Sequence, residues 1–462
     1  MDIKDQNAPI TSKITPVNGK PIKVIFDQKN TSTDFGSILL STTGQIQNLT
    51  QLFADAINDK RDQSHIIHTI KDQIDQRVAM IGCGYLSVSD AADLRNDPMM
   101  KLASGKSDIN NDGNDLGSSS TLNRMENSLS IKDIYRLCQV QIESYIASQG
   151  KAPKCLVMDM DHSEDITYGD QECTEYNGYY KSTCYLPLFI HDGITGQLIL
   201  SVLRSGVNAT GKENAAILKR VIKLIQSHWP DTDIVLRGDS KFGVPEIMRF
   251  EDEYDNITFL FGMSKNSKLN EMAAPYVEDA EYKFKSVSGA IDQITEYDSF
   301  EYQAKSWDKP YRIIIITTVS KDNVHFRFVV TDLYNIHPKI LYEKLYCHRG
   351  NQELYIKELK GDLRSDLTPC KKYTANFFRV LLASLVYNII ILLRKEGLKG
   401  TQFANSTAAK IKLKLFKMAV KVISCKDRII LHLPESYPYK NEMTLLLERL
   451  FQTHKFINTS LP

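Results

Sequence analysis

Between residues 154 and 240, four apolar runs and one amphipathic stretch follow one another, and this series constrains the fold more than any other feature of the chain. Each run has the length and composition of a buried strand. The runs are Cys155–Asp161, Cys184–His191, Gln197–Arg204 and Ile234–Arg237. The second and third are separated by Asp192–Gly196, which is typical of a hairpin turn. Residues Gly211–His228, before the fourth run, carry apolar side chains at helical spacing.

Three strands, a helix and a fourth strand form the opening of a ribonuclease-H-like sheet, so the predicted fold class is α/β with a catalytic core of that kind. Residues 241–336 do not continue this plan. After one helix candidate, Pro245–Glu253, they contain short strand-like runs, which predict a β-rich insertion into the core. These runs are Phe259–Gly262, Tyr282–Val287, Ile313–Ile316 and His325–Val330.

The remaining chain favours helices. Apolar residues recur at helical spacing over Ile46–Tyr85 and Ile131–Ser148, and residues 104–120 form a linker rich in Ser, Gly, Asn and Asp. A long polar helix is predicted for Lys339–Leu363 and an apolar one for Tyr373–Lys395. The predicted organisation is a helical N-terminal region (1–150), the first part of the core (151–240), the insertion (241–337), the second part of the core (338–395) and a basic C-terminal region (396–462).

The net charge of +1 conceals a strong asymmetry along the chain. Residues 338–428 contain 19 Lys or Arg and 7 Asp or Glu, whereas residues 1–337 carry a net charge of −11. A basic segment beside a carboxylate-rich one suits a protein that binds a polyanion and carries out metal chemistry on it. The alternative is a solvated, lysine-rich helix such as Lys410–Lys417.

Cysteine spacing and apolar runs exclude several other classes. The eight cysteines are isolated, without the Cys-x-x-Cys spacing of zinc sites, and are predicted to be buried thiols in a reducing compartment. The N-terminus lacks the pattern of a signal peptide, so a cytoplasmic location is expected. The longest apolar run, Val380–Leu393, is too short to span a bilayer, which predicts a buried helix and no membrane role.

Three aspartates stand where predicted strands end. Asp159 and Asp161 are two residues apart on the first strand, so their side chains share one face of the sheet. Asp239 follows the fourth strand after Gly238. If the first and fourth strands are neighbours, these acids meet at one edge and could bind divalent metal ions. Each aspartate taken alone is better explained as a turn or helix-cap residue, so the prediction rests on their combination at the ends of apolar strands.

The predicted polar helix adds a fourth acid flanked by cations. Arg349, Glu353 and Lys360 are four and seven residues apart, so they share one face of a helix. A metal-binding Glu353 between two cations could hold phosphates on either side of a scissile bond. An exposed salt-bridge ladder gives the same spacing.

The series Tyr346, Arg349, Glu353 and Lys360 resembles the Tyr-x₂-Arg-x₃-Glu-x₆-Lys signature of bacterial insertion-sequence transposases with a DDE catalytic domain. The surrounding sequence is similar to one branch in particular, the 1380 family of insertion sequences. The matching phrases run in order from about residue 80 to 395. They are Gly84–Pro98, Gly117–Asn127, Tyr185–Phe189, Arg237–Phe242, Phe261–Asn266 and Ala375–Arg379.

This resemblance implies the roles of the site residues. Asp161, Asp239 and Glu353 are expected to be the catalytic, metal-binding triad, holding two Mg²⁺ (or Mn²⁺) ions, with Asp159 as an auxiliary ligand. Ser163 favours Asp161 as the first aspartate, because the family has a hydroxyl residue soon after it. His162 departs from the family pattern, so the choice between Asp159 and Asp161 stays partly open. Leu367 departs from it as well, because family members often carry an arginine there, and this departure concerns one backbone contact. Tyr346, Arg349 and Lys360 are expected to bind DNA phosphates near the cut.

The resemblance also implies the reaction and its partners: cut-and-paste transposition, in which the enzyme cleaves the DNA ends of its own element and joins them to target DNA. The N-terminal region is expected to read the terminal inverted repeats, and a homodimer to bridge two ends. Two alternatives remain: a DNA-binding descendant that no longer cuts, and a ribonuclease-H-like nuclease without strand transfer.

Overall fold

A computed structural model of the 462-residue chain describes residues 10–11, 16–109, 115–287 and 291–460. Part of the predicted linker, residues 110–114, lies outside the described residues. The described chain is mixed α/β, with one large sheet and helices on both sides.

The large sheet has eight strands, numbered here in chain order. They are β1 (Cys155–His162), β2 (Leu188–Asp192), β3 (Leu198–Val202), β4 (Asp233–Gly238), β5 (Ile257–Met263), β6 (Gln293–Tyr302), β7 (Tyr311–Ser320) and β8 (Val324–Thr331). Their order across the sheet is β6-β7-β8-β5-β4-β1-β2-β3. Strand β4 is parallel to both β1 and β5, and all the other neighbours are antiparallel. The carboxyl ends of β1, β4 and β5 therefore meet at one edge.

The two faces of this sheet are buried by different helices. Met158 and Met160 of β1 pack in one cluster with the helix Gly211–His228, which the sequence analysis predicted with the same bounds. The alternate residues of β1, including Asp159 and Asp161, point to the opposite face. That face is covered by the helical run from Pro338 to Gly361 and by the helix Tyr373–Leu392. Both helical predictions for this part of the chain are confirmed.

The strands predicted for a separate insertion continue the same sheet. Strand β5 pairs with β4, and β8, β7 and β6 extend the sheet beyond β5. The predicted boundary at residue 240 therefore falls inside one continuous sheet. The predicted strand Tyr282–Val287 is wrong: these residues end the helix Ser267–Val287, which packs on β6 and β7.

The apolar run Cys184–His191 is two strands rather than one. A strand over Ser182–Tyr185 belongs to a small three-stranded sheet with Asp165–Ile166 and Glu175–Asn177, and β2 begins only at Leu188. Pro187 lies between them and has no backbone N–H to donate, which ends the ladder. The segment between β1 and β2 thus forms a small sheet of its own, and residues 165–185 are called the flap below.

The N-terminal and C-terminal parts share one hydrophobic core. The helices of residues 16–150 are Gly36–Gln45, Leu49–Asp55, Ile70–Cys83, Ala91–Leu94, Pro98–Ala103, Ser119–Ser128 and Ile131–Ser148. Four of them pack against the helix Tyr373–Leu392, called the core helix here. Thr31–Ser32 also pairs with the C-terminal strand Val420–Ser424, which in turn pairs with Ile429–His432. A last helix, Lys440–Ser460, closes the chain.

The core helix and the cysteines test two predictions, that the longest apolar run is a buried helix and that the cysteines are buried thiols. Among the described residues, one helical stretch, Tyr373–Gly397, is long and apolar enough to cross a membrane, and 94% of its apolar window is buried inside the protein. All eight cysteines are free thiols. Cys83 and Cys184 are buried as predicted, and Cys138, Cys155 and Cys370 are partly exposed, but the prediction is wrong for the exposed Cys173, Cys347 and Cys425. Of the three exposed cysteines, Cys173 and Cys425 lie between strands, and Cys347 lies in a 3₁₀ turn inside a helical run.

Candidate active site

Two aspartates lie side by side where β1 and β4 end. The last paired residues of these parallel strands are Met160 and Gly238, so the residues that follow them, Asp161 and Asp239, are neighbours in register. Asp239 is fixed in a turn, because its Oδ1 accepts a hydrogen bond of 2.9 Å from the backbone N of Lys241. The predicted juxtaposition of these two acids at one sheet edge is present.

A helical run positions the third acid. It begins at Pro338, passes through a π-helical segment (Leu341–Tyr346) and a 3₁₀ turn (Cys347–Arg349), and continues as the α-helix Gly350–Gly361, called the Glu353 helix here. Gln352 is completely buried, and its Nε2 donates to the backbone oxygens of Asp159 (2.9 Å) and Phe189 (3.1 Å). The residue before Glu353 is thus bound directly to β1 and β2.

One guanidinium lies between the acids. Arg349 Nη1 is 3.6 Å from Asp161 Oδ2, and Arg349 Nη2 is 3.4 Å from Glu353 Oε1. The Glu353 side chain is 65% exposed, whereas that of Asp161 is 17% exposed. In the part of the chain that the structure describes, no three His, Cys, Asp or Glu side chains come close enough together to hold a metal ion. Asp161 and Glu353 are thus linked through Arg349, and the described residues form no preformed metal cage.

The electrostatics of Asp161 reflect this crowding. The pKa of Asp161 is raised to about 6 by burial first and then by the charges of Asp239 and Glu353, against the lowering effects of the His162 backbone N–H and Arg349. Carboxylates that disfavour one another's ionisation are stabilised by a cation placed between them. The donor set, three carboxylates with hard oxygen atoms, has the chemistry that Mg²⁺ and Mn²⁺ prefer.

Tyr346 lies over the end of β5 beside the same group. A Cβ atom on Gly262 would stand 2.5 Å from the Tyr346 hydroxyl oxygen, so glycine leaves room for that hydroxyl in its present position. Burial raises the pKa of Tyr346, and the charge of Asp239 adds to this effect while Arg349 opposes it. Tyr346, Arg349, Asp161 and Asp239 therefore form one electrostatic group.

Asp159 has a different environment from Asp161. It is fully buried, and Arg237 of β4 binds both of its oxygens, with Nε–Oδ1 at 2.5 Å and Nη2–Oδ2 at 2.7 Å. Arg237 also donates from Nη1 to the backbone oxygen of Leu345. Through Arg237, Asp159 therefore ties β1 to β4 and to the π-helical segment Leu341–Tyr346, which precedes the Glu353 helix.

Sequence reasoning did not single out Arg237 or Gln352. The available signal was a charged residue inside the apolar run Ile234–Arg237, since a buried charge needs a partner. Gln352 gave no such signal, because one glutamine in a polar helix is ordinary.

Lys360 is bound inside the protein, two turns after Glu353. Its Nζ donates to Ser163 Oγ at 2.8 Å and to the backbone oxygen of Glu164, and it lies 3.2 Å from Oδ1 of the buried Asp165. Burial raises the pKa of Asp165 to about 7 despite this ion pair. Lys360 therefore anchors the turn that follows β1.

His162, the departure from the family pattern next to Asp161, is an aromatic packing residue. Its ring stacks on Phe242 with centroids 4.7 Å apart, and burial lowers its pKa to about 3. It is a neutral neighbour of the acids.

The tip of the flap faces the same edge. The Lys241 Nζ lies 5.4 Å from the ring centroid of Tyr179 and 5.9 Å from that of Tyr180. Burial raises the pKa of Tyr180, and the charge of Asp161 is the next cause. The flap tip, Lys241 and the acids are therefore parts of one surface.

Comparison with known proteins gives one family. No curated protein matches the chain. A cryo-EM structure of the piggyBac transposase synaptic complex with hairpin DNA is similar, with 11% sequence identity, a TM-score of 0.43, and coverage of 93% of this chain and 86% of that chain. The family model described as transposase DDE domain group 1 matches residues 14–455, nearly the whole chain. The chain belongs to this family of DDE transposases.

Proposed function

We propose that this transposase is an active, metal-dependent enzyme that cuts the DNA ends of its own element and transfers them to a new site. The observation that carries the proposal is that Asp161 and Asp239 are neighbours at one sheet edge and that Arg349 links Asp161 to Glu353. A descendant that no longer cuts would have no need to retain three acids and a cation in this arrangement.

We further propose that β1 to β5 form a ribonuclease-H-like core. Their order, β3-β2-β1-β4-β5, with β4 and β5 parallel to β1 and β2 antiparallel to it, supports this. On this view the insertion begins after β5 and consists of the helix Ser267–Val287 and strands β6 to β8, which enlarge the core sheet.

Asp161, Asp239 and Glu353 are the residues that would hold two Mg²⁺ or Mn²⁺ ions. Such ions, when bound, acidify a nucleophilic water or 3′-hydroxyl and stabilise the leaving oxygen. Asp159 is not needed as a ligand in this proposal, because its charge is already balanced by Arg237. Its role is to fix the relative positions of β1 and β4.

The neighbouring cations and Tyr346 are proposed to bind the phosphates beside the cut. Arg349 can exchange its long contacts with Asp161 and Glu353 for a phosphate, since charge-assisted hydrogen bonds to phosphate are shorter and stronger. Tyr346 has a hydroxyl next to the same guanidinium. Lys360 would reach a phosphate only by giving up Ser163 or Asp165, so we assign it first to positioning the turn after β1.

The wider partners follow from the family and remain part of the proposal. The N-terminal helices would read the terminal inverted repeats, and a homodimer would hold two ends together for cut-and-paste transposition. The basic residues of 338–428 would contact the DNA backbone. The enzyme would act in the cytoplasm of a bacterium, on the nucleoid.

Substitution of the acids tests the activity. Asp239→Asn and Glu353→Gln should abolish magnesium-dependent cleavage of a duplex carrying the element's end, while binding of that duplex persists. Asp233→Asn is the matched control, because Asp233 is exposed at the other end of β4. Cleavage retained by either site variant would refute the assignment.

A second assay separates the reaction classes. A pre-cut end with a free 3′-hydroxyl should be joined to plasmid DNA by the wild-type protein. Cleavage without joining would identify a nuclease, and binding with neither reaction would identify an inactive descendant.

A further inference from the structure

The small sheet near the C-terminus has an open edge. Its strand Val420–Ser424 lies in the middle, between Thr31–Ser32 and Ile429–His432, so Ile429–His432 is an outermost strand. Val420–Ser424 and Ile429–His432 are called the C-terminal hairpin here, and Ile429–His432 is called the edge strand. Among the described residues, no strand pairs with the other side of the edge strand.

The pairing within the hairpin determines which backbone groups the edge strand presents. The backbone N of Cys425 donates to the oxygen of Arg428 at 2.8 Å, so these two residues form a hydrogen-bonded pair at the turn. Such pairs alternate along an antiparallel ladder, which makes Ile430 the next residue bonded to the first strand of the hairpin. The N–H and C=O groups of Ile429 and Leu431 therefore point away from the hairpin. In the part of the chain that the structure describes, those groups have no hydrogen-bond partner.

The two edges of the large sheet are protected, in contrast to this one. On the outer side of β3, the Asn388 side chain accepts from the Leu198 backbone N at 3.0 Å and donates to the Leu198 oxygen at 2.8 Å. The opposite edge strand, β6, carries the acids Glu296, Asp298 and Glu301. Cover by another element and charged side chains are the usual means of keeping an edge from pairing. The edge strand of the hairpin has neither.

Apolar side chains lie on both faces of the hairpin beside the open edge. On the outer face, Ile430 and its cross-strand neighbour Ile423 are 37% and 38% exposed. On the inner face, Leu431 packs against the shared core and lines an open groove of about 480 Å³ beside the last helix. Phe451 of that helix lines the same groove and is 69% exposed. An open backbone edge with apolar groups on both faces suits the addition of an apolar β-strand.

The charges around the edge strand favour a second copy of the same chain as the source of that strand. The turn before the edge strand carries Lys426 and Arg428 against one acid, Asp427, whereas Glu435 follows the strand. Antiparallel pairing of two copies brings the basic turn of each copy towards Glu435 of the other. Parallel pairing would bring like charges together.

We propose that the edge strands of two copies pair antiparallel about a twofold axis at Ile430, which joins two three-stranded sheets into one of six strands. Ile429 of each copy then exchanges backbone hydrogen bonds with Leu431 of the other. The Ile423 and Ile430 side chains of both copies form one apolar row on the outer face. On the inner face, the partner's Ile429 lies beside Leu431 and extends the apolar wall of the groove.

This inference goes beyond the proposed reaction, because the paired surface lies on the C-terminal sheet and forms without DNA. It names the contact that a homodimer bridging two element ends would use. The twofold axis also makes the interface self-complementary, as the closed symmetry of a dimer requires.

Cross-linking of the full-length protein without DNA tests the pairing. Opposite residues of a non-hydrogen-bonded antiparallel pair have Cα atoms about 4.5 Å apart, a distance that a disulfide spans. In a Cys425→Ser background, Ile430→Cys should therefore form a dimer with glutathione disulfide as oxidant, seen on a non-reducing gel. Ile423→Cys is the matched control, because it is equally exposed on the same face but lies roughly 14 Å from its copy across the axis.

Sedimentation velocity over a range of protein concentrations measures the dimer itself. Ile430→Glu places two carboxylates opposite each other at the axis and should weaken dimerisation by about tenfold or more, whereas Ile423→Glu should weaken it less. Thermal melts check that the variants are folded. Wild-type protein that stays monomeric throughout, or equal cross-linking of Ile430→Cys and Ile423→Cys, would overturn the pairing.

Cleavage of the element's end in Mg²⁺ is measured on the same proteins. Wild-type protein that cuts as a monomer refutes the edge pairing alone. Protein that dimerises and cross-links at residue 430 but does not cut refutes the nuclease activity alone.

Discussion

Asp159 and Asp161 are two residues apart on one face of β1, yet they have different tasks. Asp159 is neutralised by Arg237 in a buried ion pair, while Asp161 faces Asp239 and a guanidinium that also contacts Glu353. The difference comes from register: Arg237 is paired with Asp159 across the β1–β4 ladder, and Asp239 follows one step beyond the last pair. The Asp159–Arg237 ion pair thus holds β1 and β4 together, while the nearby Asp161 and Asp239 are not neutralised by it.

Gly262 limits the position of Tyr346, which gives a prediction at a single residue. Gly262→Ala should push the Tyr346 hydroxyl away, because the added Cβ would approach it to 2.5 Å. We expect cleavage to fall at least as far as in Tyr346→Phe, while the fold and overall DNA affinity change little. Single-turnover cleavage and a binding titration measure the two effects. Full activity in Gly262→Ala would show that the Tyr346 position does not matter.

The Asp165–Lys360 pair gives a dependence of stability on pH. Burial raises the pKa of Asp165 to about 7 in the folded protein, against roughly 3.9 in an unfolded chain. Between these two pKa values only the folded state keeps Asp165 protonated. The contribution of Asp165 to the free energy of unfolding is therefore fully present below about pH 4 and is lost as the pH rises to about 7. Asp165→Asn should therefore gain stability relative to wild type over that range, by up to about 4 kcal/mol.

Urea unfolding of wild type and Asp165→Asn at pH 5 and pH 8 checks this sign. The free energy of unfolding of Asp165→Asn should exceed that of wild type by more at pH 8 than at pH 5. A difference that is constant with pH, or that favours wild type more at pH 8, would contradict a raised pKa for Asp165.

At the scale of elements, the Glu353 helix depends on one amide for its position. Gln352→Leu removes the hydrogen bonds to the backbone oxygens of β1 and β2 without removing bulk. Each lost bond to a buried carbonyl costs on the order of 1–3 kcal/mol. We expect Glu353 to shift and cleavage to fall by a factor of ten or more. Leu354→Ala is the control, because Leu354 is exposed on the same helix.

Equal cleavage by the two variants would show that Gln352 does not position the acid. Circular dichroism and a thermal melt separate this effect from unfolding. If Gln352→Leu melts as the control does but cuts less, the loss is one of position.

Elements with a strong local pattern could be predicted from the sequence, and those fixed by distant contacts could not. The helix Gly211–His228 and strands β1 and β4 follow from runs that stay apolar or keep one period throughout. The run Tyr282–Val287 covers only six residues, so its pattern also fits the end of a helix. These residues end the helix Ser267–Val287, which packs on the sheet. Strand β6 gave no signal, because it is an edge strand with polar, half-exposed residues.

In the candidate site, too, residues with a local sequence pattern could be predicted, whereas partners joined by distant contacts could not. Asp161, Asp239 and Glu353 could be selected because acids at strand ends and on a patterned helix stand out in the sequence. The partners Arg237–Asp159 and Lys360–Asp165 join residues far apart in the chain, and no local pattern indicates which cation meets which acid.

At the scale of the whole molecule, a buried charge cluster joins the N-terminal helices to the core helix. Glu126 Oε1 accepts from Arg77 Nε at 2.9 Å, and its Oε2 accepts from Arg379 Nη1 at 3.0 Å, all three side chains being buried. Both arginines also donate to the backbone oxygen of Leu86. Arg379 belongs to the core helix, so both oxygens of the buried Glu126 have an arginine partner only when the two parts of the chain are together.

This sharing of a core predicts that residues 1–150 will not fold alone. Without the core helix, the apolar faces of Gly36–Gln45 and Ile70–Cys83 lose the surface that buries them, and Glu126 keeps one arginine of two. We expect residues 1–150 to lack a cooperative thermal transition, and to regain one when co-expressed with residues 151–462. A sharp transition in residues 1–150 alone would make them an independent DNA-reading domain. Its absence would support a coupling between the N-terminal helices, which we propose read the element's end, and the acids, because those helices and the sheet that carries Asp161 pack on the same core helix.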